Sequence, residues 1–291
     1  MNRSNMSTAT QTTPANQRKL VYSLCHRADR LRIQGRYAES EQLFKKALAL
    51  AEQTFAPHAP ELVPLLNNHA VLYKYSGRFD EAEQLYRRAL AIAVGHWGEE
   101  HIEVATLYHN LGGLDHARGT FAAGEPAARR AVEIRERGLG PDHPHVAADL
   151  AALAGILDGQ GKCAESEPIY ERVLALFEAR MQSGDADAGY EIAVNLNNLA
   201  ALYTRTGRAA QAEPLYRRAL ALKEKSLGPG HPDVALSLNN LAVLLKTLGR
   251  LDEAADAYRR ALQIFEQTLD PEHPKLKTCR ENYARLKPEQ R

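Results

Sequence analysis

The chain has 291 residues, of which 25% are charged, and its 37 basic side chains nearly balance its 36 acidic ones. A formal net charge of +1 leaves no global field that would draw the chain to nucleic acid or to an anionic membrane. Aromatic residues make up only 7%, so alanine and leucine supply most of the apolar content, which suits close packing of helices.

The cysteines and the first residues bear on metal binding, on disulfides and on the compartment of the protein. Cys25, Cys163 and Cys279 lie far apart, which argues against a zinc site or a disulfide framework, and we expect no metal and no cofactor. Residues 1–18 are rich in Ser, Thr, Asn and Gln and predict a disordered tail rather than a secretory signal. No later stretch approaches the roughly 18 apolar residues of a membrane span, so we expect a cytoplasmic protein.

A repeat extends from residue 20 onward. Six glycine turns separate helical patterns, with spacings of 42, 42, 42, 46 and 42 residues, and they lie at Gly35, Gly77, Gly119, Gly161, Gly207 and Gly249. The four extra residues fall at 181–189, where they predict a loop insertion. The spacing predicts six repeats, at 20–61, 62–103, 104–145, 146–191, 192–233 and 234–275, followed by a capping helix at 276–291.

Each repeat combines two amphipathic helices. Before Gly207, apolar residues from Ile192 to Tyr203 recur at spacings of three and four, and the same pattern follows the glycine. Glycine itself can adopt the left-handed backbone that ends a helix. Asp80, with Glu83 three residues later, predicts a capping box for a second helix. His-Pro pairs, as at His231, predict a loop before the next repeat.

Small and large residues alternate at fixed distances from the glycines. Five residues after each turn stands a small residue, as at Ala82, and nine after it stands an aromatic one, as at Tyr86. The third repeat departs from this pattern with Gly124 and Ala128, and Pro126 follows closely. These residues predict a weak helix there. Repeats three and four are then either a flexible joint between two better-formed halves or middle repeats whose sequence has drifted neutrally.

The motif LNNLAxLY…GR…EAEPLYRRALxI…LGPxHPxV resembles the tetratricopeptide repeat, and its 42-residue period resembles the repeats of kinesin light chains. The resemblance implies an all-α, right-handed superhelical solenoid of helix-turn-helix units whose first helices line a concave wall. The short tail leaves no room for the heptad region of a motor subunit, so we expect the free-standing bacterial type.

The same resemblance implies that the side chains ten, nine and three positions before each turn glycine point into the concave groove. The candidate peptide-binding residues are Asn67, Asn68, Lys74, His109, Asn110, Asn197, Asn198, Thr204, Asn239, Asn240 and Lys246. Asparagine competes with the helix backbone for hydrogen bonds, so three Asn pairs in mid-helix call for an explanation. Either the carboxamides clamp an extended peptide, or one Asn of each pair joins neighbouring helices and the other is solvated.

The expected function is that of a scaffold or adaptor that binds an extended, possibly acidic, peptide of a protein partner. Basic pairs on the second helices, such as Arg87-Arg88, have acids four residues earlier and predict a solvated, self-paired face rather than a nucleic-acid site. No catalytic motif is present, so we do not expect an enzyme. The alternatives are a self-associating assembly module or a regulatory subunit of a separate enzyme; a monomer is expected, with self-association left open.

Overall fold

A computed structural model describes residues 13–185, 187–271 and 273–286 of the chain. These residues form thirteen α-helices and no strand, so the predicted all-α fold is confirmed. The helices are α1 (Pro14–Ile33), α2 (Tyr37–Thr54), α3 (Leu62–Tyr75), α4 (Phe79–Trp97), α5 (Ile102–Arg118), α6 (Phe121–Leu139), α7 (Pro144–Gly159), α8 (Cys163–Gln182), α9 (Ala188–Arg205), α10 (Ala209–Leu227), α11 (Pro232–Thr247), α12 (Leu251–Thr268) and α13 (Pro274–Ala284). The chain divides into two compact units, residues 1–140 (unit 1) and 141–291 (unit 2).

The six glycine turns end the first helices as predicted. All six glycines have a positive φ, between 74° and 80°, which a larger side chain rarely adopts. The residue after each glycine then donates its backbone N–H to a carbonyl five residues back, as from Arg78 to Tyr73 at 2.8 Å. This bond pattern satisfies helix-end carbonyls that would otherwise lack a donor.

Histidines cap the starts of several first helices, a role beyond the predicted loops, which the chain does form before Pro144 and Pro232. In each of His101, His143, His231 and His273, Nδ1 accepts the backbone N–H two residues later at 3.2 Å. The proline after three of these histidines occupies the first helical position, where its missing N–H costs nothing. Helices α7, α11 and α13 therefore begin two residues before the predicted repeat boundaries at 146, 234 and 276.

Two further predictions about helix starts are wrong. Asp80 lies inside α4, which begins at Phe79 with no side-chain cap, so the predicted capping box does not form. Helix α1 begins at Pro14, inside the predicted tail of residues 1–18, because proline is already preorganised for a first helical turn. The rest of that tail, residues 1–12, and residues 287–291 of the predicted terminal helix lie outside the described residues.

The predicted core pattern is confirmed. The aromatic residues nine after the turns are buried, namely Phe44, Tyr86, Tyr170, Tyr216 and Tyr258. The small residues five after the turns are also buried, and Ser40 donates its hydroxyl to the Ala28 carbonyl at 2.8 Å. Small residues at these positions let the two helices of a repeat approach closely, and the aromatic ring fills the space beside them.

The third repeat forms both of its helices, and the predicted weakness of the second one stays a prediction. Helix α6 is continuous through Pro126, near its N-terminal end. Gly112, Gly124 and Ala128 let α5 and α6 approach so closely that a Cβ on Gly124 would lie 2.8 Å from the Asp115 Cβ. Close backbone approach therefore replaces the missing aromatic ring.

The second helices neutralise their own charge, as predicted. Acids pair with bases four residues later at 2.8–2.9 Å, in Glu41–Lys45, Glu83–Arg87, Glu125–Arg129 and Glu213–Arg217. The second basic residue of a pair reaches an acid of the preceding repeat at 2.5–2.6 Å, in Arg88–Glu52, Arg130–Glu100, Arg218–Glu178 and Arg260–Glu224. Each exposed pair contributes only about 0–1 kcal/mol, but the face carries little unpaired positive charge.

Candidate protein-binding surface

The first helices form one row in each unit. In unit 1, α1 packs against α3 and α3 against α5; in unit 2, α7, α9, α11 and α13 follow one another in the same way. Within the described part of each unit, successive second helices make no such contacts. The first helices therefore lie on the inner side of each stack, and side chains one repeat apart share a surface.

In unit 1, the predicted asparagines are linked across the repeats. Asn110 on α5 donates from Nδ2 to Oδ1 of Asn67 on α3 at 2.7 Å, and Asn67 donates in turn to Oδ1 of Asn68 at 3.2 Å. All three side chains are half-buried, as is His109 beside them. The carboxamides thus join α3 to α5 and keep part of their surface toward solvent.

Lys74 lies one to two turns after the Asn pair on α3 and differs from the other cations of unit 1. Its side chain is half-buried, and burial alone lowers the pKa of its ammonium group. It makes no ion pair or hydrogen bond with any residue that the structure describes. Burial also lowers the pKa of His116, and the nearby Lys74 charge adds to that effect. Lys74 is therefore a positive charge without an anion, beside an imidazole whose protonation burial disfavours.

Gly113 on α5 provides the space that Lys74 occupies. A Cβ on this glycine would lie 3.0 Å from the Lys74 Nζ, so a side chain there would press on the ammonium group. Arg32, at the equivalent position of the first repeat, is instead paired with Asp29 at 2.8 Å and lies over the Tyr75 ring. Lys74 therefore has no equivalent among the first helices of unit 1.

In each asparagine pair of unit 2, the first residue is buried and the second is half-buried. Asn197 is only 7% exposed and donates to Ser237 Oγ at 2.9 Å, while Asn239, 8% exposed, accepts from Asn282 at 3.2 Å. The first residue of each pair thus joins neighbouring helices, as one of the two interpretations predicts. Asn198 and Asn240 are half-buried and keep surface available to a ligand.

The remaining predicted residues of unit 2 are engaged locally. Thr204 donates its hydroxyl to the Ala200 carbonyl at 2.8 Å within α9. Lys246 donates from Nζ to the Arg285 carbonyl at 3.0 Å, which caps the C-terminal end of α13. Lys246 and Lys74 share a repeat position, yet only Lys74 keeps its donors unused.

Sequence reasoning missed an apolar cleft between α1 and α3. Its volume is about 150 Å³, and its lining residues are Val21, Tyr22, Cys25, His26, Asp29, Glu61, Pro64, Leu65 and Asn68. The Cys25-His26 pair occupies the repeat position of the asparagine pairs, which was the available signal. Burial raises the pKa of the Cys25 thiol to about 11, so this cysteine contributes apolar surface rather than a nucleophile.

Stacked helix pairs that present one row of first helices define a helical-repeat scaffold. The chain belongs to the tetratricopeptide repeat family, whose model matches residues 21–93, 103–179 and 191–267. Proteins of this family are typically interaction scaffolds rather than enzymes. No curated protein matches the sequence.

Several solved structures share the fold. The nearly identical repeats assigned to a kinesin light chain of Podosopora anserina are 23% identical, over 72% of this chain and 98% of that one, with a TM-score of 0.59. BtubC (BKLC) from P. vanneervenii is 22% identical over 90% and 94%, with a TM-score of 0.62. The quorum sensor NprR from B. thuringiensis, in its apo form, is 15% identical over 92% and 69%, with a TM-score of 0.65. At these identities the likeness shows the fold alone.

The part of the chain that the structure describes lacks two further features. None of the helices there combines the length and the apolar content that crossing a membrane requires. In the same part of the chain, no three His, Cys, Asp or Glu residues are arranged to hold a metal ion.

Proposed function

We propose that this protein is an interaction scaffold that binds an extended, acidic segment of a protein partner on the first-helix surface of unit 1. The observation that carries the proposal is Lys74, a half-buried cation with no anion beside it. On the second helices of unit 1, Lys45, Arg87, Arg88, Arg129 and Arg130 are each paired with an acid at 2.5–2.9 Å. An acidic side chain or terminal carboxylate of the partner supplies the missing charge.

Burial explains why an anion is bound more strongly at Lys74 than on the outer face of the second helices. Desolvation has already removed part of the water around the Lys74 ammonium, so an incoming carboxylate meets a charge that solvent screens poorly. An exposed pair on the second helices contributes about 0–1 kcal/mol, whereas a well-placed pair in a partly dry groove contributes more. His116 adds to this site because a bound anion favours its protonated form.

The asparagines position the backbone of the same segment. Asn67 and Asn110 hold each other across α3 and α5, and this bond leaves Asn68 and the second amide hydrogens of the linked side chains for a ligand. In unit 2, taken by itself, Asn198 and Asn240 are half-buried and offer carboxamide groups of the same kind. An extended peptide presents alternating N–H and C=O groups that match such carboxamides.

Selection from a random peptide display library tests the proposal. Peptides selected on the wild-type protein should be enriched in Asp and Glu, and Lys74→Gln should weaken their binding by at least about tenfold. Lys46→Gln is the matched control, because Lys46 is an exposed lysine of unit 1 on the outer helix α2. Selected peptides without acidic residues, or equal binding to both variants, would overturn the proposal.

A further inference from the structure

A second surface of unit 1 lies at the N-terminal end of α3 and carries the opposite charge. An apolar pocket of about 400 Å³ is lined there by Pro60, Val63, Pro64 and Trp97, together with Glu61 and Glu103. Glu61 and Pro64 also line the cleft between α1 and α3, so the two cavities share two lining residues at the start of α3. We call this region the Trp97 surface.

Trp97 is the feature that sets this surface apart from the other repeats. Twenty residues after the turn glycine, three repeats carry a leucine, at Leu139, Leu227 and Leu269. Trp97 is half-buried, and the His101 ring stacks on it with centroids 5.1 Å apart. The His101 ring therefore covers part of the indole, and Trp97 keeps part of its area toward the pocket. A flat, partly exposed aromatic surface of this kind is typical of contact sites.

Charge indicates the chemistry of the partner. Glu61 and Glu103 form no ion pair with any residue in the described part of unit 1. Glu100, three residues from both Trp97 and Glu103 in the chain, is by contrast bound by both Arg130 and Arg137. Two unpaired carboxylates beside an indole suit a cation, because the carboxylates attract it and the ring face adds a cation–π contribution.

We infer that the Trp97 surface binds a second class of partner segment, one that combines a lysine or arginine with an adjacent apolar side chain. The cation pairs with Glu61 and Glu103, and the apolar side chain enters the pocket against Trp97 and Val63. This surface is independent of Lys74 and of the proposed acidic segment. Unit 1 would then hold two segments of opposite charge at the two ends of α3.

The test isolates this surface from the first one. A random peptide library is selected on the Lys74→Gln protein, in which the proposed acidic-peptide site is removed. Binding of each selected peptide is measured by calorimetry and by the emission of Trp97, the sole tryptophan of the chain. Peptides that lack tryptophan are used, so that any spectral change reports the pocket itself.

Selected peptides should contain Lys or Arg beside Leu, Ile or Phe and should shift the Trp97 emission. The double variant Glu61→Gln, Glu103→Gln should weaken their binding at least about tenfold. Trp97→Leu should also weaken it, and this change introduces the leucine that three other repeats carry at the same position. Glu99→Gln, an exposed neighbour outside the pocket, is the matched control and should change nothing.

Three outcomes would overturn the inference. They are the recovery of no peptide that shifts the Trp97 emission, peptides that lack basic residues, and equal binding to the Glu61/Glu103 and Glu99 variants. Failure at Lys74 leaves this result intact, because the selection is made on the Lys74→Gln protein.

Discussion

His69 stacks on Phe44 with ring centroids 5.3 Å apart, and neither of its ring nitrogens has a hydrogen-bond partner. The equivalent position carries leucine in the last four repeats, at Leu111, Leu153, Leu199 and Leu241. His69 is only 3% exposed and is therefore a core residue. Burying its two nitrogens without hydrogen-bond partners lowers the stability of the fold, a cost that leucine at this position does not have.

Acid should destabilise unit 1 through His69. Burial lowers the pKa of His69 from 6.5 to about 4, so between these values the unfolded chain binds a proton that the folded chain does not. Stability therefore falls as the pH drops through this window, by about 2 kcal/mol between pH 7 and pH 5. Urea unfolding followed by Trp97 emission measures the change in unit 1.

His69→Leu provides the control for that experiment. It should raise the stability at pH 7 by about 1–2 kcal/mol, because it removes two unsatisfied nitrogens, and it should remove most of the loss at pH 5. Glu41, the nearest acid, has its pKa lowered to about 2 by Lys45 and Arg78 and does not titrate in this range. An unchanged pH dependence in the leucine variant would contradict the assignment.

Gly124→Ala should destabilise the third repeat even though alanine favours helix. The added Cβ would lie 2.8 Å from the Asp115 Cβ and 3.0 Å from the Gly112 carbonyl oxygen, so α5 and α6 would have to separate. We expect a loss of about 1–3 kcal/mol in the free energy of unfolding. Gly95→Ala in α4 meets no atom within 4 Å and should instead stabilise by up to about 1 kcal/mol. A gain at both positions would rule out the close approach of α5 and α6.

His231→Ala should cost about 1 kcal/mol, because it removes the acceptor for the Asp233 backbone N–H at the start of α11. His231→Asn, which keeps a side-chain acceptor, should recover most of the loss. His58→Ala, in an exposed loop, should have almost no effect. Thermal unfolding monitored by circular dichroism measures all three, and equal stability of the alanine and asparagine variants would show that the cap contributes nothing.

The sequence predicted the repeat architecture because the features that specify it are local. A left-handed turn needs glycine, and two amphipathic patterns on either side of Gly207 need a shared core. The helix starts were misplaced because histidine is an unusual N-cap and proline was treated only as a helix breaker. The close approach of α6 to Gly112 could not be predicted, because Gly112 lies on another helix and no single-helix propensity includes it.

The proposed binding surface could be predicted only in part. Repeat position correctly placed Asn67, Asn110 and Lys74 on the row of first helices. It gave no way to distinguish Lys74 from Lys246, because the difference lies in a tertiary contact: the Arg285 carbonyl takes the Lys246 donor. Nor did it identify the Trp97 surface, where the pocket arises from residues of α3, α4 and α5 that are distant in sequence.

A double-mutant cycle between Lys74 and one acidic residue of a selected peptide tests the central claim most directly. Affinities are measured by calorimetry for wild type and Lys74→Gln, each with the acidic peptide and with its Glu→Gln or Asp→Asn counterpart. We predict that either change alone weakens binding about tenfold and that the second adds little, since both remove the same ion pair. Losses that simply add would contradict the account, because they would place the peptide carboxylate away from Lys74.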